Sequence, residues 1–185
     1  MLQGEPSKDD IVFGSVVLFF FMIFVFAFGY AINRFKNARF ARAWRPLQPI
    51  IEGKVVEDGG GAATSWLTGR YKSRRVRASM TPDRNRHAGE TGSYYNDFDV
   101  TLLDVEGAVN WKLPGKKPLE QQLLAAGAAA VLHGIGEAEA EFDAKQGTLI
   151  IVQEMGEGGL PSPEHFIALL EALLRLETVN AAVNR

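Results

Sequence analysis

Hydrophobic positions follow two regimes along the chain. From Ile11 to Ile32 they are continuous, 22 residues without a charged side chain or a polar stripe. Beyond Ile50 they alternate with polar residues at periods of two and of three to four, the marks of strands and of amphipathic helices. The first regime predicts a transmembrane helix. At 1.5 Å rise per residue it reaches about 33 Å, enough for a hydrocarbon core of about 30 Å. A cleaved signal peptide has a shorter apolar region preceded by positive charge. Here residues 1–10 carry Glu5, Asp9 and Asp10 against Lys8, and the bases follow the span.

That asymmetry predicts orientation. Arg34, Lys36, Arg39, Arg42 and Arg45 follow the span, and no acid occurs before Glu52. The positive-inside bias then places the N-terminal tail outside a bacterial inner membrane and the rest of the chain in the cytoplasm. Residues 33–49 read as a basic juxtamembrane helix ended by Pro46 and Pro49. Its Phe35, Phe40 and Trp44 suit headgroup depth, and its bases suit anionic lipid headgroups. The same arginines could equally serve only to set topology.

Residues 50–185 read as a soluble α+β domain. Strands are predicted at Ile50–Glu57, Trp66–Tyr71, Arg74–Met80 and Tyr94–Val105, with a short one at Asn110–Leu113. Asp58-Gly59-Gly60-Gly61 is a turn, Lys72-Ser73 closes a hairpin, and Thr81–Gly92 is a loop. Pro118 opens a helix to His133 with Leu119, Leu123, Gly127, Ala130 and Val131 on one face, and Gly134 stops it. A hairpin of Glu139–Ala144 and Thr148–Met155 follows. Ser162-Pro163 then caps a last helix to about Val183, with Phe166, Leu170, Leu173 and Leu174 inward. The expected architecture is one N-terminal transmembrane helix, then an antiparallel sheet of five or six strands covered by two helices.

Composition narrows the chemistry. There is no cysteine, which excludes disulfides and thiolate metal sites. A net charge of −2 and the lack of an aromatic-basic recognition motif argue against nucleic acid. His87, His133 and His165 are far apart, with no carboxylate or second histidine at ligand spacing, so no metal site is expected. Gly59-Gly60-Gly61 lacks the lysine and following helix of a phosphate loop. Gly156-Glu157-Gly158-Gly159 reads as a connection. Glu137, Glu139, Glu141 and Asp143 alternate as on a solvated strand face. No catalytic residues emerge.

Two features rise above this background. Arg70, Lys72, Arg74, Arg75, Arg77, Arg84 and Arg86 crowd one hairpin and its following loop, opposed only by Asp83. They are either an outward face whose counter-charges the fold supplies, or a basic surface for lipid headgroups or an acidic subunit, with Arg74, Arg75 and Arg77 at its centre. The second feature is aromatic: seven of the twelve phenylalanines lie in the span. Phe19, Phe20, Phe24 and Phe28 offer packing surface to lipids or pigments of neighbouring subunits, with no residue able to ligate a cofactor.

The expected function is therefore a non-catalytic, single-pass accessory subunit that stabilises a large bacterial inner-membrane complex by docking its helix against other integral-membrane subunits. The alternative is a membrane-tethered regulatory or ligand-binding module. A short outer tail, one helix and a cytoplasmic domain resemble, in layout, the H subunit of bacterial photosynthetic reaction centres and supernumerary subunits of respiratory complexes. That resemblance implies an energy-transducing assembly, photosynthetic (reaction centre with light-harvesting proteins) or respiratory.

Overall fold

A computed structural model describes the backbone of residues 8–57, 65–82, 96–136, 138–155 and 160–183. Side chains are described at 16–31, 42–56, 66–80, 97–136, 138–155 and 160–183. The chain opens with α1 (Lys8–Trp44), a continuous helix of 37 residues. Within it the side chains of 16–31 extend over about 24 Å at 1.5 Å per residue, and every one is exposed. Among the described residues no helix is long and apolar enough to cross a membrane.

Among the described residues seven strands form one antiparallel sheet: β1 (Lys54–Glu57), β2 (Ser65–Tyr71), β3 (Arg74–Pro82), β4 (Asn96–Leu102), β5 (Trp111–Leu113), β6 (Glu139–Asp143) and β7 (Thr148–Met155). Their order is β1-β2-β3-β4-β7-β6-β5, one strand or two more than expected. The expected first strand at Ile50–Glu57 is only its second half. Gln48–Ile51 is instead a 3-10 turn that buries Ile51, and the strand starts at Lys54. Close packing makes this possible: a Cβ at Gly69 of β2 would stand 2.2 Å from the Ile51 carbonyl oxygen, so only glycine lets the turn lie on the sheet.

Alternation sets the two faces. The register rows Val55–Leu67–Ala78–Val100–Ile151–Ala140–Leu113 and Gly69–Val76–Leu102–Leu149–Phe142–Trp111 face the core. Two helical layers cover them. The last helix, α4 (Pro163–Val183), buries Phe166, Leu169, Leu170, Leu173 and Leu176, while Leu174 is only partly covered. Ser162 Oγ accepts the His165 amide at 3.2 Å, as the expected cap should.

The other cover is broken. α2 (Pro118–Leu123) and α3 (Ala129–His133) flank a wide turn, Leu124–Ala128, in which Gly127 has φ +115°. The expected uninterrupted face through Gly127 and Ala130 is thereby corrected: Ala128 and Leu132 point inward and Ala130 is exposed. The added residue in the wide turn carries the buried line from Leu123 by five positions to Ala128, then by four to Leu132.

Trp44 corrects a second expectation. Instead of resting at headgroup depth it is 1% exposed, with its ring centroid 5.9 Å from that of Phe98, which in turn meets Phe166 edge-on at 6.1 Å. Leu47 is buried with it. The packed domain thus begins at Trp44, inside what the sequence pattern assigned to a juxtamembrane linker, because a large apolar ring gains more from the core than from an interface.

Candidate interaction surfaces

The apolar helix comes first in chain order. Phe19, Phe20, Phe24 and Phe28 are 57–65% exposed and point away from any core. Phe24 and Phe28, one turn apart, stack at 5.9 Å, and Phe19 and Phe20 meet edge-on at 6.1 Å. Such a contiguous apolar surface is far larger than a water-facing monomer ordinarily carries. Arg42 is exposed; the side chains of Arg34, Lys36 and Arg39 lie outside the described residues, as do Arg84, Arg86 and His87. So do the turn at Asp58–Gly61 and the Gly156–Gly159 connection.

The basic hairpin is built on a two-residue turn. Lys72 and Ser73 have φ of +46° and +69°, the left-handed pair that matches strand twist in tight hairpins. The fold supplies counter-charges to much of it. Arg74 pairs with Glu177 of α4 and donates to the Asp104 carbonyl oxygen at 3.1 Å. Arg75 reaches Asp104 at 3.2 Å, and Lys72 reaches Glu171 at 2.6 Å. Arg77 lies over Trp66, 4.6 Å from the ring centroid. Arg74 is therefore a half-buried clamp between sheet and helix.

The distance of this turn from α1 also bears on lipid contact. Trp44 packs on Phe98, which pairs with Met80 of β3. Arg74 is six residues earlier on that strand, about 20 Å away at 3.3 Å per residue. The hairpin turn and the helix entry occupy opposite ends of the sheet.

Beside the turn, Tyr71 donates to Glu171 at 2.5 Å. Burial, and then this hydrogen bond, push the Tyr71 hydroxyl up to about 12. The Lys72 ammonium and the Tyr71 hydroxyl hold the Glu171 carboxyl below its ordinary value.

Three polar residues that patterning missed lie deeper. Glu120 is buried and accepts the Lys117 amide at 2.8 Å and the Lys112 amide at 3.4 Å. The Lys117 N–H, above all, holds its carboxyl below the ordinary value. Its place three residues into a helix start is the usual place for an acid that reaches back to the N-cap amide, a signal the sequence does carry. Gln153 donates from Nε2 to the Ile135 carbonyl oxygen at 3.0 Å, which leaves Oε1, 2.6 Å from His165 Nε2, as an acceptor. In this pairing Nε2 of the ring is the donor. Asn180 is fully buried beneath Trp111.

An open groove of about 630 Å³ lies at the end of the sheet, lined by Pro114, Leu124, Leu132 and Val152 and also by His133, Asp97, Glu139 and Glu154. Among the described residues no group of three histidines or acids could hold a metal ion. No family model, no curated protein and no solved structure matches the chain.

Proposed function

We propose that the chain is a membrane-anchored accessory subunit whose α1, over residues 11–32, lies in a bilayer and docks against other integral-membrane helices. The observation that carries this reading is the run of exposed phenylalanines in α1, within a stretch, 16–31, where every described side chain is exposed. Water is a poor partner for it at about 25 cal/mol per Å² of apolar area, whereas lipid tails or neighbouring helices cover it without cost. The bases that follow the span favour a cytoplasmic domain in the inner membrane of a bacterium. A non-catalytic, stabilising role in an energy-transducing complex, photosynthetic or respiratory, fits a helix without a ligating or charged group and an α+β domain whose conspicuous cations are largely used internally.

Extraction tests this directly. After carbonate washing the chain should stay with membranes, and after mild detergent it should migrate with other subunits on native gels. Release by carbonate sinks the anchor; migration only as a free 20.3 kDa species sinks the accessory role.

The groove beside Leu132 and Val152 favours a second reading, a tethered module that takes a small ligand with an apolar body. Under that reading the groove, rather than the helix, carries the activity. Bulky substitution at Ala129 would abolish function while membrane retention and complex migration stay unchanged.

A further inference from the structure

A shallow cleft of about 330 Å³ opens on the sheet face away from the helices, over β1, β2 and the start of β3. Leu67 is buried on the core side, so its neighbour Thr68 and then Arg70 stand on this outer face. Register places Lys54 opposite Thr68, and Arg75 opposite Arg70. Three cations thus line one cleft, together with the short Thr68 side chain and the bare backbone of Gly53 and Gly69. Glu52 is the one acid in that lining. Arg77 is turned to Trp66 and stays outside it. On β4 the row through Thr68 and Arg77 continues to Thr101, and Asp99 stands one row further from the hairpin turn, opposite Ser79. The other described acids of this face stand on β4, β7 and β6, outside the lining.

Lys54 and Arg70 are exposed, and among the described residues neither forms an ion pair. Arg75 shares Asp104 at 3.2 Å. Arg70 and Arg75 face each other directly across β2 and β3, an arrangement that is destabilising unless an anion lies between the two charges. We infer that this cleft binds the phosphate group of a soluble phosphate monoester. An arginine fork takes two oxygens of one group, and a dianionic phosphate offers three oxygens to donors arriving from β1, β2 and β3. The lining, three cations against Glu52, matches that charge. A carboxylate has one oxygen and about one charge fewer. The Arg70–Arg75 pair lies toward the hairpin turn, at the opposite end of the sheet from the Trp44 ring at which α1 enters. That placement favours a ligand from solution over a membrane headgroup. The cleft is separate from the groove at Leu132 and Val152, and the inference stands whether or not α1 enters a membrane.

The test takes the full chain in mild detergent, titrated with inorganic phosphate at constant ionic strength and followed through the amide resonances of Gly53, Thr68 and Gly69. These should shift together and saturate. R70Q and K54Q should each weaken the apparent affinity about tenfold, as expected for the loss of one charge-assisted hydrogen bond. E52Q should strengthen it about threefold by removing the competing charge. R70Q also separates binding from folding. It relieves a like-charge pair, so the unfolding midpoint without phosphate should rise, while the further rise on adding phosphate should shrink. Absence of a saturable shift overturns the inference. So does an identical titration of R70Q and K54Q, which would leave only a diffuse ion atmosphere. Equal saturable shifts with acetate would assign the cleft to carboxylates and overturn it as well. A last arm places phosphatidylglycerol in the micelle: if the lipid shifts these amides and free phosphate does not, the cleft is a headgroup site and the soluble ligand is wrong.

Discussion

Asn180 Oδ1 accepts the Trp111 indole N–H at 2.7 Å, joining the end of α4 to the edge strand β5 across 69 residues of chain. Its Nδ2 donates to the Glu106 carbonyl oxygen at 3.2 Å. One fully buried amide thus ties the last helix, the short edge strand and the loop before it. Asn180→Leu keeps the branched shape, with somewhat larger volume, but leaves a buried indole N–H and a carbonyl without these partners. Loss of about 1–3 kcal/mol is expected, read as a lower urea midpoint with unchanged slope.

Trp44→Ala tests where the domain begins. A ring buried against Phe98 should cost about 3–5 kcal/mol when truncated. A ring at a membrane interface would cost the domain almost nothing. The unfolding midpoint of the domain, compared between the two chains, decides.

Glu120 predicts acid sensitivity. Its carboxyl is held below its ordinary 4.5, mainly by the Lys117 N–H. A depressed folded value means that the stabilisation is complete above pH 4.5 and is lost as the pH falls through the depressed value. Glu120→Gln should flatten that limb of the stability profile. A variant profile parallel to the parent's throughout acid pH would contradict the assignment.

Tyr71 predicts the opposite limb. With its hydroxyl raised from 10.0 to about 12, its contribution is whole below pH 10 and declines as the pH rises through the folded value. Tyr71→Phe should remove this decline and one late-titrating step from the tyrosinate absorbance.

Gly127 gives a fifth expectation. A Cβ there would meet nothing within 4 Å, yet φ of +115° is strained for any L side chain. Gly127→Ala should therefore cost about 1–3 kcal/mol without a steric clash. A Gly127→Asn variant, better suited to positive φ, should lose less; equal losses would point to packing instead.

Much of the fold was legible because period two is hard to mistake where a strand is half buried. Val76, Ala78 and Met80 set β3, and Thr148–Met155 matches β7 to the residue. The hairpin turn at Lys72-Ser73 was readable from its spacing alone. What stayed hidden depends on contacts across the chain. In Gln48–Ile51 Pro49 suits the first turn of a 3-10 helix, but whether that turn can lie on the sheet depends on the bare backbone of Gly69, distant in sequence. Trp44 looked interfacial because its neighbours are basic, while its partner Phe98 lies 54 positions later. The basic hairpin was visible as composition, but Glu171 and Glu177, which bind it to α4, are about a hundred residues away. Asn180 did leave a local trace: it continues the inward line of Leu173 and Leu176, where a polar side chain is unexpected.

The burial of Trp44 has a mechanical consequence. The last residue of α1 is also a keystone of the core, so helix and domain share no swivel. A tilt or a turn of α1 about its axis acts as a lever on the stack of Trp44, Phe98 and Phe166, and a pull along the helix is delivered as load to the β4 and α4 layers. A turning force applied at the phenylalanine-rich end would thus reach the sheet through one buried ring.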